Sequence, residues 1–368
     1  MAQMVKRAYR YRFHPIPGQA AELARTFGCV RYVYDKALDH RTRAYRQEGR
    51  KVSYAETSAR LTEWKRSEGL EFLSEVSSVP LQQALRHLQA GFANFFARRA
   101  RYPTFRSRKK ARASAEYTRS AFRRRDGALT PAKMDAPLDI VWSRPLPDGV
   151  EPSTVTVSRD AAGRWFVSLL VEEKITPLAP VEASVGVDAG ITALAVLSTG
   201  EKIVNPRHER ADRRRLAKAQ RALARTAKGS ANRAKARRKV ARVHARISDR
   251  RTDFLHKLTT RLVRENQTVV IEDLTVRTLV KNHSLARAIS DASWRRMRPM
   301  LEYKTAWYGR ELVVVDRFFP SSRLCSVCGI VQSTMPLSVR EWECACGVSH
   351  DRDVNAARNI LAAGPAER

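Results

Sequence analysis

The chain is short of acid. Its 368 residues carry 37 Asp and Glu against 69 Lys and Arg, a formal net charge of +32. So much like charge repels itself unless a polyanion neutralises it, which points to nucleic acid or an anionic membrane. Long apolar runs are also missing. None reaches the roughly 18 residues that a bilayer span requires, and the opening stretch MAQMVKRAYRYRFHP has no apolar core of the signal-peptide kind. A cytoplasmic setting is therefore expected, with nucleic acid as the polyanion. Cysteine is scarce: five in all, four of them within residues 325–346. That distribution excludes a disulfide framework and favours metal ligation. The fifth, Cys29, stands alone in ARTFGCVRYVYDKAL and reads as a small core residue. No fixed-period repeat is visible. Hydrophobic residues are not scarce, at 43%, so the chain can bury cores for two or three domains.

Along the chain, VKRAYRYRF alternates and reads as a strand closed by Pro15 and Pro17. From Gln19 to about Phe105 the periodicity is helical. The first helix ends at Gly49, Ser53 and Glu56 form a capping-box pattern, and Pro80 sits where a first turn tolerates it. Leu81, Leu85, Leu88, Phe92 and Phe95 then make one apolar stripe. Residues 98–125 mix Arg and Lys with Tyr102, Phe105, Tyr117 and Phe122. Cations neutralise phosphate and flat rings stack on bases, so the stretch suits RNA or single strands. Its candidate contacts are Tyr102, Arg106, Arg108, Lys109 and Lys110; the plainer reading is a solvated basic loop. Residues 128–178 are β-rich, with a hairpin around Asp160–Gly163. After a linker at 177–184 the strands and helices alternate, which predicts an α/β sheet. Residues 207–265 read as a basic helical hairpin broken at 228–230, with Val240, Val243, Ile247, Phe254 and Leu258 on one seam.

Three carboxylates stand out in this second half. Asp188 follows the apolar run SVGV, Glu272 follows VVI, and Asp353 opens the helical stretch DVNAARNIL. Each alone reads as a turn or cap residue. Together, in so basic a chain, they suggest a cluster. Converging carboxylates repel unless a divalent cation lies between them. Mg²⁺ prefers oxygen ligands, and two such ions can clamp the attacking and leaving oxygens of a phosphodiester. Asp273 points to the other face of its strand, and Asp351 reads as a helix-initiating residue.

The cysteines form two pairs, Cys325-x₂-Cys328 and Cys344-x-Cys346, each followed directly by Gly. Four thiolates around one Zn²⁺ make a closed structural site, and glycine lets the backbone turn beneath it. His350 is the alternative ligand, in place of Cys344 or Cys346.

The stretches GVDAGITALAVLSTG, RRTDFLHKLTT, VVIEDL, RAISDASWRRMRPMLEYKTAWYGRELVVVDRFFPSSRLCSVCG and HDRDVNAARNIL resemble the TnpB (OrfB) family, which is related to the type V CRISPR effectors. The N-terminal VPLQQALRHLQAGFANFF and YPTFRSRKKARAS match it as well. The resemblance implies a multidomain α/β chain whose RuvC nuclease domain has an RNase H-like fold (179–320 and 351–368). It implies a zinc ribbon at 321–350, and a wedge β-barrel (1–14 and 107–178) holding an inserted helical recognition domain (15–106). It also implies a guide RNA from the transposon end and cleavage of double-stranded target DNA beside a short adjacent motif. By motif, Asp188, Glu272 and Asp353 match the three RuvC acids. By position, Tyr54, Gln83 and Thr118 are candidate readers of the adjacent motif. Their plainer readings are a helix-start packing residue, an exposed helix polar and an ordinary strand residue. The family's second cysteine pair has two spacer residues; WECACG here has one. Two other functions share parts of this pattern: a non-cleaving RNA-guided DNA-binding regulator, and a transposase using the same acids without a guide.

Overall fold

The computed structural model describes residues 3–107, 112–336 and 338–364. Arg108, Lys109 and Lys110 lie outside the described residues. The chain divides into two compact units, Met4–Glu173 and Lys174–Arg368, the latter with the first three residues.

In the first unit, β1 (Gln3–Phe13) leads into α1 (Pro17–Glu48), α2 (Tyr54–Arg66), α3 (Phe72–Glu75) and α4 (Ser78–Phe96). The helix boundaries follow the local chemistry. Gly49 takes a left-handed φ of 64°, and the N–H groups of Gly49 and Arg50 satisfy the Tyr45 and Ala44 carbonyls, a Schellman-type ending. The Ser53 hydroxyl accepts from the Glu56 N–H at 3.1 Å, the expected N-cap. Then come β2 (Ala113–Thr118), β3 (Phe122–Arg125), β4 (Ala128–Pro131), β5 (Ile140–Val141), β6 (Thr154–Arg159) and β7 (Trp165–Ile175). Five of these strands form a sheet in the order β2-β6-β7-β1-β5, and β3 pairs with β4. β6 and β7 are the antiparallel hairpin read from the sequence. Helices and sheet share one core, to which α4 contributes Leu81, Leu85 and Leu88 and the sheet Tyr11, Phe13, Val155 and Leu169. Burying each such side chain contributes about 1.5–3 kcal/mol.

One reading of the basic stretch needs correction. Tyr117 is 1% exposed and lies in that core, because alternation along β2 turns it inward. It cannot stack on a base. Phe122 is half-buried against the same core.

In the second unit the sheet order is β10-β9-β8-β11-β12, formed by β8 (Ser184–Asp188), β9 (Ala193–Leu197), β10 (Lys202–Val204), β11 (Thr268–Glu272) and β12 (Glu311–Val315). β11 runs parallel to both β8 and β12. Between β10 and β11 lie α5 (His208–Ala224) and α6 (Ala231–Glu265), joined by a turn in which Gly229 has φ of 89°. Leu216, Val243 and Ile247 close the seam between them, while Arg213, Arg214, Arg215, Arg237 and Arg238 face solvent. The helices α7 (Val276–Leu279), α8 (Ala286–Ala292) and α9 (Trp294–Tyr308) precede β12. α6 and α9 cover one sheet face through Leu255, Leu262, Met297 and Leu301. A short hairpin, β13 (Glu341–Glu343) with β14 (Ser349–Asp351), runs directly into α10 (Arg352–Ala363), which covers the other face.

Candidate active site and metal centre

Register builds the acid cluster. On the parallel pair β8–β11, Ile271 lies opposite Val187, so Glu272 stands one step further, level with Asp188. Side chains alternate across a strand, so Gly186, Asp188, Val270 and Glu272 share one face. That face is covered by α10, where Ile360 is buried with Val270, Val313 and Val315. The helix crosses β8 over Gly186, where a Cβ would collide with the Ala357 carbonyl and come within 2.8 Å of the Leu361 nitrogen. Asp353, one turn before Ala357, therefore reaches the same end of the sheet. This end is the carboxyl end of parallel strands, where α/β sheets leave a crevice for ligands.

Electrostatics report the convergence. Burial, then the charges of Asp353 and Glu272, push the Asp188 carboxyl up to about 7, against the Arg352 guanidinium and the Ala189 N–H. Burial and the neighbouring Asp273 raise Glu272, and a hydrogen bond with the Ser321 side chain opposes them. Asp353 is loosely paired with Arg340 at 3.6 Å and also acts on the Lys202 ammonium. An all-oxygen donor set of like charge, partly buried and only partly compensated, fits a hard divalent cation.

The two neighbouring acids do other work. Asp351 is the N-cap of α10, accepting from the Asp353 and Val354 N–H groups at 3.1 and 3.0 Å and from Lys202 at 2.5 Å. Asp273 faces away and is held by Arg298 and Arg317, each at 2.6 Å. Both match their sequence readings.

The four cysteine sulfurs lie within 4.8 Å of one another. Cys325 and Cys346 are 3.8 Å apart, and Cys328 and Cys344 3.5 Å. Tetrahedral thiolates around zinc at about 2.3 Å stand at closely similar separations. The single-spacer pair converges as well as the normal one. Gly329 and Gly347 adopt φ of 77° and 83°, and their N–H groups return to the Cys325 and Cys344 carbonyls. His350 does not replace a sulfur. Its Nε2 lies 3.1 Å from Cys325 Sγ, and its ring packs on Trp342 at 4.7 Å. Burial alone would raise the Cys325 thiol, but the Cys328 and Val327 N–H groups and His350 hold it down at about 5. The cluster is compatible with structural zinc.

Sequence reasoning missed the fastening between the two sites. Asn355 donates to the Leu324 carbonyl at 2.7 Å and accepts from the Ser326 N–H at 3.0 Å. Asn359 donates to Ser321 and Leu324 at 2.8 and 2.6 Å. Both asparagines are buried. Their i, i+4 spacing on an apolar helix face was the available signal.

The nucleic-acid candidates scatter across the first unit. Tyr54 opens α2, and its hydroxyl accepts from Arg86 at 3.3 Å. Gln83 is 7% exposed on α4, so the reading of it as an exposed helix polar is corrected: its side chain is on the core side. Thr118 ends β2, opposite Thr154. Tyr102 is 41% exposed, edge-on to Phe92 and Phe95, with its hydroxyl 2.9 Å from Thr42. Arg106 stacks its guanidinium 3.6 Å from the Tyr34 ring centre. Cys29 is buried in α1, where burial pushes its thiol up to about 11, as a core residue should be.

Residues 167–283 match a family described as a probable transposase, OrfB of the IS605 type. Residues 294–360 match a Cas12f1-like TNB domain, and residues 1–50 a helix-turn-helix domain of the OrfB group. The chain is 73% identical, over 99% of its length and 90% of the relative's, to a Streptomyces pristinaespiralis protein named "Putative RNA-guided DNA endonuclease". It is 32% identical, over 98% of its length and 94% of the relative's, to InsQ of Escherichia coli K12, which carries the same designation. Among solved structures, it superposes on a Cas12f1–sgRNA–target DNA complex with a TM-score of 0.60 at 14% identity, covering 93% of this chain and 82% of that one. That likeness concerns the fold.

Proposed function

The chain belongs to the TnpB (OrfB) family, and from that premise we propose that it is an insertion-sequence-encoded, RNA-guided DNA endonuclease that hydrolyses target DNA beside a short element-adjacent motif. What supports the reading is that Asp188 and Glu272 stand level on one sheet face at its carboxyl end and that α10 carries Asp353 over the same end, in a chain of net charge +32. The flanking regions take the roles read from the sequence. Residues 179–320 and 351–368 form the RuvC nuclease domain, 321–350 the zinc ribbon, 1–14 and 107–178 the wedge, and 15–106 the recognition helices.

Asp188, Glu272 and Asp353 would hold two Mg²⁺, which when bound supply an activated water and neutralise charge on the phosphate. The chain's own contribution is positioning. Ser321 orients Glu272, the Asp351 cap fixes the first turn that carries Asp353, and the strand register levels Asp188 with Glu272. Cys325, Cys328, Cys344 and Cys346 would hold one Zn²⁺. Through Asn355 and Asn359 that centre is tied to the helix bearing Asp353, so ribbon and nuclease site are fastened together. The exposed arginines of α5 and α6 offer phosphate contacts for the guide RNA.

The test is Asp188→Ala beside Asp351→Ala, assayed in Mg²⁺ for cleavage and in the same buffer for RNA and DNA binding. Asp188→Ala is expected to lose cleavage and keep binding, while Asp351→Ala keeps most activity. Cleavage by Asp188→Ala within tenfold of the unaltered chain would refute the assignment. Absence of a defined co-purifying RNA would favour a guide-independent transposase instead.

A further inference from the structure

The cysteine cluster holds its sulfurs in unlike surroundings. Cys325 and Cys344 are buried, at 1% and 3% exposure, while Cys328 and Cys346 are exposed. Four thiolates outweigh the charge of one Zn²⁺, so the bound sulfurs stay electron-rich. Exposed sulfurs can turn to water. Buried ones need donors from the protein, because a buried acceptor left unmet is costly. For Cys325 the backbone supplies the Val327 and Cys328 N–H groups. A side chain adds another donor. His350 is 4% exposed, and its Nε2 lies 3.1 Å from Cys325 Sγ. Chemistry fixes the direction of this bond: a zinc-bound sulfur has no proton, so Nε2 must carry one and donate it.

The imidazole is oriented without help from the metal. β13 and β14 set Trp342 directly opposite His350, and the two ring centres are 4.7 Å apart at an interplanar angle of 37°. The four sulfurs, all within 4.8 Å of one another, already complete a tetrahedral set, which leaves the ring beside the metal shell and not in it. His350 also stands next to Asp351, the N-cap of α10. Asn355 of that helix grips Leu324 and Ser326 on either side of the cysteine. Leu324, Cys325 and Ser326 are therefore each bonded to the short stretch from His350 to Asn355, which contains Asp353.

We propose that His350 is a positioning residue of the zinc centre, whose Nε2–H donates to the Cys325 thiolate and locks that sulfur to the strand from which the helix bearing Asp353 begins. The inference rests on the reading of the four cysteines as a zinc site. Donation draws electron density from the buried sulfur and steadies its charge, so the metal is held more tightly. Of the four sulfurs, the one so held is also the one gripped on both sides by α10.

Two substitutions separate donation from packing. His350→Phe keeps a flat ring against Trp342 and removes the N–H. His350→Gln places an amide N–H near the position of Nε2. Full-length unaltered protein and both variants would be loaded with Zn²⁺ and titrated with a chelator, then loaded with Co²⁺ instead for absorption spectra. Outer-shell partners of metal ligands are worth about 10–100-fold in affinity. His350→Phe should therefore bind zinc at least about 10-fold more weakly, and His350→Gln should recover most of the loss. The sulfur-to-cobalt charge-transfer band should move to longer wavelength in His350→Phe, because a thiolate without its donor gives up an electron more readily. In His350→Gln it should return toward its original position. Zinc affinity within twofold of the unaltered chain and an unmoved band in His350→Phe would overturn the proposal. So would equal losses in the two variants, or a cobalt spectrum of the unaltered chain that shows a nitrogen ligand. If His350→Phe takes up no metal at all, recovery in His350→Gln upholds the donor role and lack of recovery overturns it. An unaltered chain that binds neither metal would sink the zinc reading and this proposal with it, an outcome distinct from failure of the histidine alone.

Discussion

Gly186 carries no chemistry, yet adding one methyl there should disable cleavage. A Cβ at this position would stand 2.8 Å from the Leu361 nitrogen, 2.9 Å from Leu361 Cβ and closer still to the Ala357 carbonyl oxygen. Carbon atoms rest comfortably at about 3.5–4.0 Å, so α10 must retreat by roughly 1 Å to admit the methyl. Trimming Leu361 cannot relieve the clash, because the nearest atom belongs to the backbone. Overpacking of this kind costs about 1–3 kcal/mol, against the roughly 5–15 kcal/mol that a domain has in hand. The Gly186→Ala chain should therefore still fold. The displaced helix carries Asp353, whereas Asp188 and Glu272 stay fixed on the sheet. A misplacement of about 1 Å in a catalytic group can lower the rate on the order of 100-fold. The assay is guide-directed DNA cleavage under single-turnover conditions, beside RNA binding and a thermal melt. Cleavage within threefold of the unaltered chain, with an unchanged melt, would refute the account of how α10 is seated.

Two further outcomes are expected. Cys325→Ser should release zinc and loosen the segment from Leu324 to Asp351, with the β10-β9-β8-β11-β12 sheet intact, since zinc binding and local folding are coupled. Elemental analysis and circular dichroism check this, and purified unaltered protein without zinc would refute the site. Lys304 is buried with three neutral partners, the His256 carbonyl at 2.8 Å and the Thr259 and Thr260 hydroxyls at 2.7 Å, and burial pushes its ammonium down to about 8. Below that pH both folded and unfolded chains hold the proton and the burial penalty is fully present. Between about 8 and the unfolded value near 10.4 the unfolded chain binds more protons, so this group's contribution to stability rises with pH. Relative to Lys304→Met, the unaltered chain should gain on the order of 1 kcal/mol per pH unit across that window. Parallel stability curves in urea would contradict it.

Local features were legible because their causes are local. The Gly49 ending, the Ser53 cap, the β6–β7 hairpin and the break between α5 and α6 each follow from residues a few positions apart. The alternation that buries Tyr117 was equally local, but the surrounding Arg and Lys masked it, and the ring read as a stacking surface. Gln83 shows the converse: a polar side chain on a helix reads as exposed until the neighbouring core is known.

Sequence alone determined the inventory of both candidate sites. Composition pointed to a polyanionic partner, the cysteine pairs pointed to a metal centre, and acids after apolar runs marked the ends of buried strands. Which acids meet was decided by tertiary structure. Parallel pairing levels Glu272 with Asp188 across some eighty residues of chain, and the close passage of α10 over Gly186 brings in Asp353. Those contacts depend on register and on the absence of a side chain at one crossing point, and no periodicity within a single segment encodes either. The same holds for the join between the cysteine cluster and the acids. Asn355 and Asn359 become fasteners once α10 lies against the loop at Ser321–Ser326, because an amide side chain takes its meaning from the carbonyl or N–H group that folding places in front of it.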